Sequence, residues 1–178
     1  FMDIETLVNL TSRAWSLNIL AALHNGTPGR QAPLLAATSA SRTSFANSLE
    51  HLVQLKLLER NPGHGHPLRP EFRLTPLGHE AARTAAKIVS LVPDEEEFRL
   101  LRRNWTLPVL AITAKPRRFS EIRSGLGTIT DRALSQSLGQ LEEQNWVSRS
   151  VDLSQKPLRP AYQAINQGWA ISQTAAML

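Results

Sequence analysis

One stretch in the second half of the chain carries apolar residues at the spacing of a helix face. Leu134, Leu138 and Leu141 lie four and three positions apart, which places their side chains on one side of an α-helix. Thr130 stands where an N-cap residue belongs, and an acidic residue follows in the first turn, where the helix dipole favours negative charge. We therefore predict an amphipathic helix over residues 130–144.

A shorter amphipathic pattern precedes this helix. Phe119, Ile122 and Leu126 indicate a helix over residues 120–126, and Gly127 interrupts the pattern directly afterwards. Two helices joined by a short glycine-containing turn are typical of a helix-turn-helix, whose second helix enters the major groove of DNA. This second helix is therefore the candidate recognition helix.

The same order of elements is predicted twice along the chain. In the first half, the pattern predicts helices over residues 3–10, 15–23, 34–37, 41–55 and 75–91, strands over 57–60 and 71–74, and a loop over 26–33. In the second half, it predicts helices over residues 95–103, 105–114, 120–126, 130–144 and 168–178, and strands over 146–151 and 161–165. Three helices followed by a two-stranded hairpin make a winged helix-turn-helix. The predicted fold class is mainly α with small β-hairpins (α+β).

An internal repeat supports this division. Residues 15–21 match residues 105–111, ninety positions further on, and Pro-Leu-Arg-Pro at 67–70 recurs at 157–160. Between these blocks, Leu49, Leu52, Leu58 and Arg60 match Leu138, Leu141, Val147 and Arg149 at an offset of eighty-nine. Matching blocks in the same order at nearly one offset predict two tandem winged helix-turn-helix domains, residues 1–92 and 93–178, called here the first and second copies.

Composition narrows the class of protein. The chain has 178 residues, no cysteine and a net charge of +5, which is compatible with a polyanionic partner. Residues 102–159 alone carry ten basic and five acidic side chains. No run approaches the roughly 18 apolar residues that a membrane span needs, and the acidic start of the chain does not resemble a secretory signal peptide. We expect a cytoplasmic protein without a membrane partner.

Polar side chains on the two candidate recognition helices are the expected DNA readers. Arginine suits guanine and glutamine suits adenine in the major groove, although an ordinary solvated helix face is the alternative interpretation. In the second copy the candidates are Thr130, Arg132, Ser135, Gln136 and Gln140. In the first copy they are Arg42, Thr43, Ser44, Asn47 and His51, among which Arg42 alone carries a permanent charge. The first copy is therefore expected to bind DNA more weakly.

Further basic residues fall at positions suited to the DNA backbone. Arg117 and Arg118 stand just before a helix N-terminus, where a phosphate oxygen is favoured, and Lys115 adds to them. In the wings, Arg69 and Arg159 lie between prolines, with His66 and Lys156 nearby. A solvated hairpin tip is the alternative interpretation of the wing residues.

No pattern points to catalysis, a metal or a cofactor. The pair His64 and His66 lacks a carboxylate or cysteine cage and makes a poor zinc site. Gly125-Leu126-Gly127 follows no strand and precedes no Gly-Lys-Ser/Thr, so it is not a phosphate loop. We expect no enzymatic activity and no cofactor.

The sequence resembles the HxlR family of bacterial winged-helix transcriptional regulators. The second copy is similar through Trp105-Thr106-Leu107, Arg118-Phe119, Glu121-Ile122 and Leu134-Ser135-Gln136, and the first most clearly through residues 72–78, Phe-Arg-Leu-Thr-Pro-Leu-Gly. The resemblance implies a regulator that binds double-stranded DNA, usually as a homodimer with one winged domain per chain. This chain departs from that pattern by holding two domains, and cysteine-based redox sensing cannot apply to it.

Two copies in one chain suggest an intrachain pseudo-dimer. A covalent tandem can supply the paired half-site geometry that dimerisation supplies elsewhere. The alternatives are a homodimer of this chain, and a winged-helix module that binds a partner protein with weak or no DNA binding. A small-molecule effector is possible, but no residue pattern identifies one.

Overall fold

The computed structural model describes residues 3–60, 69–154 and 156–176. The first copy contains α1 (Ile4–Thr11), α2 (Ser16–His24), α3 (Gln31–Ala36), α4 (Arg42–Gln54), β1 (Leu58–Arg60), β2 (Phe72–Leu74) and α5 (Pro76–Leu91). The second contains α6 (Glu95–Leu101), α7 (Thr106–Ile112), β3 (Arg117–Arg118), α8 (Phe119–Leu126), α9 (Asp131–Glu143), β4 (Val147–Val151), β5 (Pro160–Ala164) and α10 (Asn166–Ala176). The predicted fold class, mainly α with small antiparallel sheets, is confirmed.

Side-chain caps fix the starts of the helices that matter most for the site. The Ser41 hydroxyl accepts the Ser44 N–H at 3.2 Å at the start of α4, and the Thr130 hydroxyl accepts the Ala133 N–H at 3.1 Å at the start of α9. The Thr130 cap stands where the sequence predicts it, and both hydroxyls satisfy N–H groups that the first helical turn leaves unpaired. The two caps stabilise equivalent helices in the two copies.

Two short elements differ from the prediction. Helix α3 begins at Gln31, so the predicted loop over residues 26–33 is wrong at its end. Pro33 lies in the first turn of α3, where a missing N–H costs no intrahelical bond. Strand β3 was not predicted, because two residues show no periodicity. Arg117 pairs with Tyr162 and Arg118 with Ala161, so the second copy has a three-stranded sheet of order β3-β5-β4.

The first copy has a smaller sheet in the part that the structure describes. There β1 pairs with β2 alone, from Leu58↔Leu74 to Arg60↔Phe72. An isolated bridge joins Arg30 to Glu71 at the edge where the second copy has β3. The segment that joins the two strands, residues 61–68, lies outside the described residues.

The two copies share one continuous hydrophobic core. The buried leucine stripes of α4 and α9 belong to it, as do residues of α1, α2, α5, α7 and α10. Helices α5 and α10 pack against each other, and α1 packs against α7 and α8 of the second copy. Fully burying one leucine side chain stabilises a fold by roughly 1.5–3 kcal/mol. The packing of one copy against the other therefore contributes substantially to the stability of the fold. None of the described helices is long and apolar enough to cross a bilayer.

Polar contacts reinforce the junction between the copies. The Thr11 hydroxyl donates to the Asn104 carbonyl at 3.0 Å, and the Gln167 side-chain amide donates to the Leu91 carbonyl. The Arg102 guanidinium lies 4.2 Å from the centre of the Trp15 ring and pairs with a carboxylate of α6. A cation stacked on an indole contributes about 0.5–2 kcal/mol. These contacts involve both ends of each copy, and they limit the movement of one copy relative to the other.

Candidate nucleic-acid interface

Helix α9 presents a polar outer face above an apolar inner one. Leu134, Leu138 and Leu141 are buried against the core, as the sequence predicts. The candidate readers lie on the remaining surface, where Thr130, Arg132, Ser135 and Gln136 are exposed and Gln140 is half-buried. The Thr130 hydroxyl is already engaged as the cap of the helix. The open face therefore offers a guanidinium, a hydroxyl and a primary amide, side chains that can bond to base edges.

An ion pair joins α8 to the start of α9 across the turn between them. The Arg123 guanidinium lies 2.9 Å from the Asp131 carboxylate, and both side chains are more than half exposed. A pair so exposed contributes only about 0–1 kcal/mol to stability. Its electrostatic effect is larger in consequence, because the positive charge of Arg123 offsets the negative charge of Asp131, which would otherwise repel DNA phosphates. Only the three-dimensional turn brings these two residues together, so sequence periodicity could not identify Arg123.

Helix α4 offers a less charged face. Its predicted readers Arg42, Thr43, Ser44 and Asn47 are exposed. His51 is placed differently: its Nε2 lies 2.6 Å from the Asn9 carbonyl oxygen and 3.2 Å from the Ser12 hydroxyl. This histidine therefore links α4 to the end of α1, and among the exposed residues of α4 the arginine is Arg42.

The three-stranded sheet brings basic residues together beside α9. Arg117 on β3 and Arg149 on β4 both lie opposite Tyr162 on β5, which separates them. Residues directly opposite in an antiparallel sheet project from the same face. Both arginines are exposed, so the sheet carries two cations across the width of three strands. The sequence predicts a DNA-backbone contact for Arg117 but not for Arg149, because the relation between the two depends on strand β3.

Arg118 occupies a different environment. It is half-buried and lies opposite Ala161. The pKa of the Asp152 carboxyl is lowered first by the Ser154 hydroxyl and backbone N–H, which donate to it at 2.6 and 2.9 Å, and then by the Arg118 charge. The Arg118 charge therefore acts on the loop that follows β4, whereas the side chains of Arg117 and Lys115 are exposed.

The wing of the second copy, residues 147–164, exposes both basic and apolar side chains. Lys156 and Arg159 are exposed, as are Leu153 at 80% and Leu158 at 55%. In the first copy Arg69 is exposed, whereas the predicted His66 lies outside the described residues. His64, the other histidine of the weak metal pattern, lies outside them too. Within the described part of the chain, no cluster of His, Asp or Glu could hold a metal ion.

Solved structures of one transcriptional regulator resemble part of the chain. The reduced form of the transcriptional regulator YodB from B. subtilis shows 29% identity and a TM-score of 0.41, covering 44% of this chain and 78% of that one. Diamide-treated YodB from B. subtilis shows 28% identity and a TM-score of 0.42, covering 48% and 85%. No curated protein sequence matches the chain.

The family comparison covers almost the whole sequence. The model of the HxlR-like helix-turn-helix family matches residues 10–96 and again residues 100–178. The two matched segments correspond to the two copies that the internal repeat predicts. The chain therefore belongs to the HxlR-like helix-turn-helix family, as two tandem copies of its winged helix-turn-helix.

Proposed function

We propose that the protein is a sequence-specific, DNA-binding transcription regulator that reads bases chiefly with α9. The observation that carries this proposal is the open face of that helix, where Arg132, Ser135 and Gln136 stand exposed above a fully buried leucine stripe. Arg117 and Arg149, on one face of the adjacent sheet, supply positive charge for contacts with the DNA backbone. The helix would read bases in the major groove while the sheet and wing contact phosphates.

The two copies are proposed to act as an intrachain pseudo-dimer with domains 1–92 and 93–178. Support comes from the shared core, in which α5 packs on α10, and from the hydrogen bond between Thr11 and Asn104. Dimeric regulators place two recognition helices about 34–36 Å apart to read successive half-sites. A single chain would supply both helices without an association step.

A mass measurement tests the pseudo-dimer. Light scattering of the protein at micromolar concentration is expected to give one species near the 19.7 kDa of a single chain. DNA complexes are then expected to contain one chain per site. A stable species of twice that mass, with four winged domains on one site, would contradict the intrachain arrangement and leave DNA binding itself in place.

Because the copies differ, the preferred site is expected to be asymmetric. The open face of α9 carries Arg132, and the sheet that contacts α9 through β4 carries the exposed Arg149 and Arg117. The open face of α4 carries Arg42, and His51 is engaged with α1. We therefore propose one strongly specified half-site, read by the second copy, and a second half-site held mainly through backbone contacts.

A protein-binding module is the second candidate function. The exposed leucines of the wing, Leu153 and Leu158, favour it, since large apolar side chains exposed on a surface are a common feature of protein contacts. The acidic run at residues 94–97 supports it less, because Asp94 caps α6 and the glutamates fill its first turn. There their charges are favoured by the helix dipole.

A DNA-binding titration separates the two functions. A labelled pool of random duplexes is titrated by fluorescence anisotropy at about 50 and 200 mM salt, and the bound duplexes are sequenced. For a regulator making six or more phosphate contacts, affinity is expected to fall by roughly 10³-fold or more between these salt concentrations, with one motif enriched. Absence of binding even at low salt would contradict the DNA-binding proposal and favour the protein-binding module.

A further inference from the structure

Two arginines occupy equivalent places in the hairpins of the two copies. Arg60 in β1 lies opposite Phe72, and Arg149 in β4 lies opposite Tyr162. The two arginines are eighty-nine residues apart in the sequence, and both are exposed. Each follows a recognition helix and faces an aromatic residue across its hairpin, so the fold presents the same cation at the same point of each copy.

The two arginines differ in their electrostatic surroundings. The Arg60 guanidinium lies 3.3 Å from the Glu50 carboxylate of α4 and 5.5 Å from the centre of the Phe72 ring. Among the residues that the structure describes, Arg149 has no carboxylate within ion-pair distance. Gly139 stands in α9 where Glu50 stands in α4. The position that supplies a carboxylate to Arg60 therefore supplies none to Arg149.

Glu50 also shares a helix face with candidate readers of the first copy. Thr43, Asn47 and Glu50 are spaced i, i+4 and i+7, which aligns them on one side of α4, and all three are exposed. The equivalent positions of α9 carry Arg132, Gln136 and Gly139. At these three positions the first copy therefore has one acidic and no basic side chain, whereas the second has one basic and no acidic side chain.

We propose that Glu50 keeps Arg60 from binding DNA, and that Gly139 leaves Arg149 free to contact a phosphate. A guanidinium that is paired with a carboxylate gains less from a phosphate, because the carboxylate must be displaced and its charge then repels the DNA backbone. A guanidinium without such a partner releases counterions from DNA when it binds, which favours the complex. This inference rests on the proposed function, and it assigns part of the difference between the copies to residues 50 and 139.

Removal of the Glu50 charge tests the inference on the full chain. The affinity for a random-sequence duplex is measured by fluorescence anisotropy at several salt concentrations between about 50 and 200 mM. Glu50→Gln is expected to raise this affinity about fivefold at the lowest salt concentration, because Arg60 becomes available to a phosphate. The dependence of log K on log salt concentration is expected to steepen by about one unit, as one further phosphate contact requires.

Glu59→Gln is the matched control for the change in net charge. Glu59 is exposed and precedes Arg60 in β1, and successive side chains of a strand project from opposite faces. Its substitution removes the same charge from the same copy and leaves the pair between Glu50 and Arg60 intact. We expect it to raise the DNA affinity by less than about twofold, because exposed charges at a distance are screened by salt, and to leave the salt dependence unchanged.

Substitution of Arg60 shows whether the gain passes through this arginine. Arg60→Gln alone is expected to change the DNA affinity little, since Glu50 already engages the guanidinium. In the Glu50→Gln background the same substitution is expected to remove the gain, so that the effects of the two changes are not additive. Circular dichroism checks the fold of every variant.

The reciprocal change in the second copy is Gly139→Glu. A Cβ at residue 139 meets no atom within 4 Å, so a side chain is expected to fit there. The new carboxylate is expected to pair with Arg149, to lower the DNA affinity about fivefold and to reduce the salt dependence by about one unit. Gly139→Gln, which adds a side chain of the same length without the charge, is expected to have a much smaller effect.

Two results would overturn the inference and leave DNA binding in place. One is a gain from Glu50→Gln no larger than that from Glu59→Gln, and the other is a gain that persists when Arg60 is also replaced. DNA binding that appears only after Glu50→Gln would support the inference. If neither the wild type nor any variant binds DNA at about 50 mM salt, the proposed function fails, and the inference fails with it.

Discussion

Gly168→Ala is expected to destabilise the protein by about 2–3 kcal/mol, the upper part of the range for overpacking a close contact. A Cβ built at residue 168 would lie 2.1 Å from the Trp146 carbonyl oxygen and 2.7 Å from the Trp146 Cβ. The carbonyl cannot move aside easily, because it accepts the Ile165 N–H at 2.8 Å. The methyl group would therefore push α10 away from the residue that precedes β4.

The first copy repeats this arrangement ninety residues earlier. A Cβ at Gly78 would lie 1.9 Å from the Leu57 carbonyl oxygen, which accepts the Thr75 N–H at 3.0 Å. Gly78→Ala is expected to cost about as much as the change at Gly168. In each copy the glycine lets the first turn of the last helix dock directly on the backbone at the start of the wing.

Gly139→Ala is the matched control. Gly139 lies inside α9, and a Cβ there meets no atom within 4 Å. Alanine is expected to stabilise a helix interior by roughly 0.5–1 kcal/mol relative to glycine. Urea unfolding followed by circular dichroism measures all three variants. Wild-type stability of Gly78→Ala and Gly168→Ala, or an equal loss in Gly139→Ala, would show that the close backbone approach is not what requires glycine.

The paired glycines illustrate how far the sequence predicts the fold. Their alignment, and the leucine spacing of α4 and α9, follow from periodicity and self-similarity, which reflect a core that both copies bury in the same way. The reason for the glycines does not follow, because it depends on a carbonyl that lies some twenty residues away along the chain. Strand β3 could not be predicted for a similar reason, because its two residues form a strand only through their pairing with β5.

The candidate site was predictable to a similar extent. Exposure of Arg132, Ser135 and Gln136 follows from the leucines on the opposite face of the same helix, a purely local relation. Contacts between elements were not predictable. His51 is engaged by α1, and Arg149 joins Arg117 across three strands. Neither contact can be recognised from the spacing of residues in the sequence, since each depends on how helices and strands pack together.

Arg132→Ala is expected to weaken binding to the preferred duplex by about 1–3 kcal/mol, which corresponds to a loss of roughly 5- to 150-fold. Arg132 lies in the first turn of α9 on its exposed face, the part of a recognition helix that contacts base edges. A bidentate pair with guanine is lost together with the side chain. Preference at that base should therefore relax, while binding to random DNA falls much less.

Two variants sharpen this test. Arg132→Lys keeps the charge and loses the forked donor geometry, so it should resemble Arg132→Ala in specificity and retain more of the affinity for random DNA. Thr43→Ala changes the residue that occupies the position of Arg132 in the first copy, eighty-nine residues earlier, and is expected to have a small effect because no charged contact is lost. Anisotropy titrations on the preferred and random duplexes at one salt concentration measure all three. If Arg132→Ala lowers binding to both duplexes equally, and Arg132→Lys restores both, Arg132 contacts phosphate and another residue of α9 reads the base.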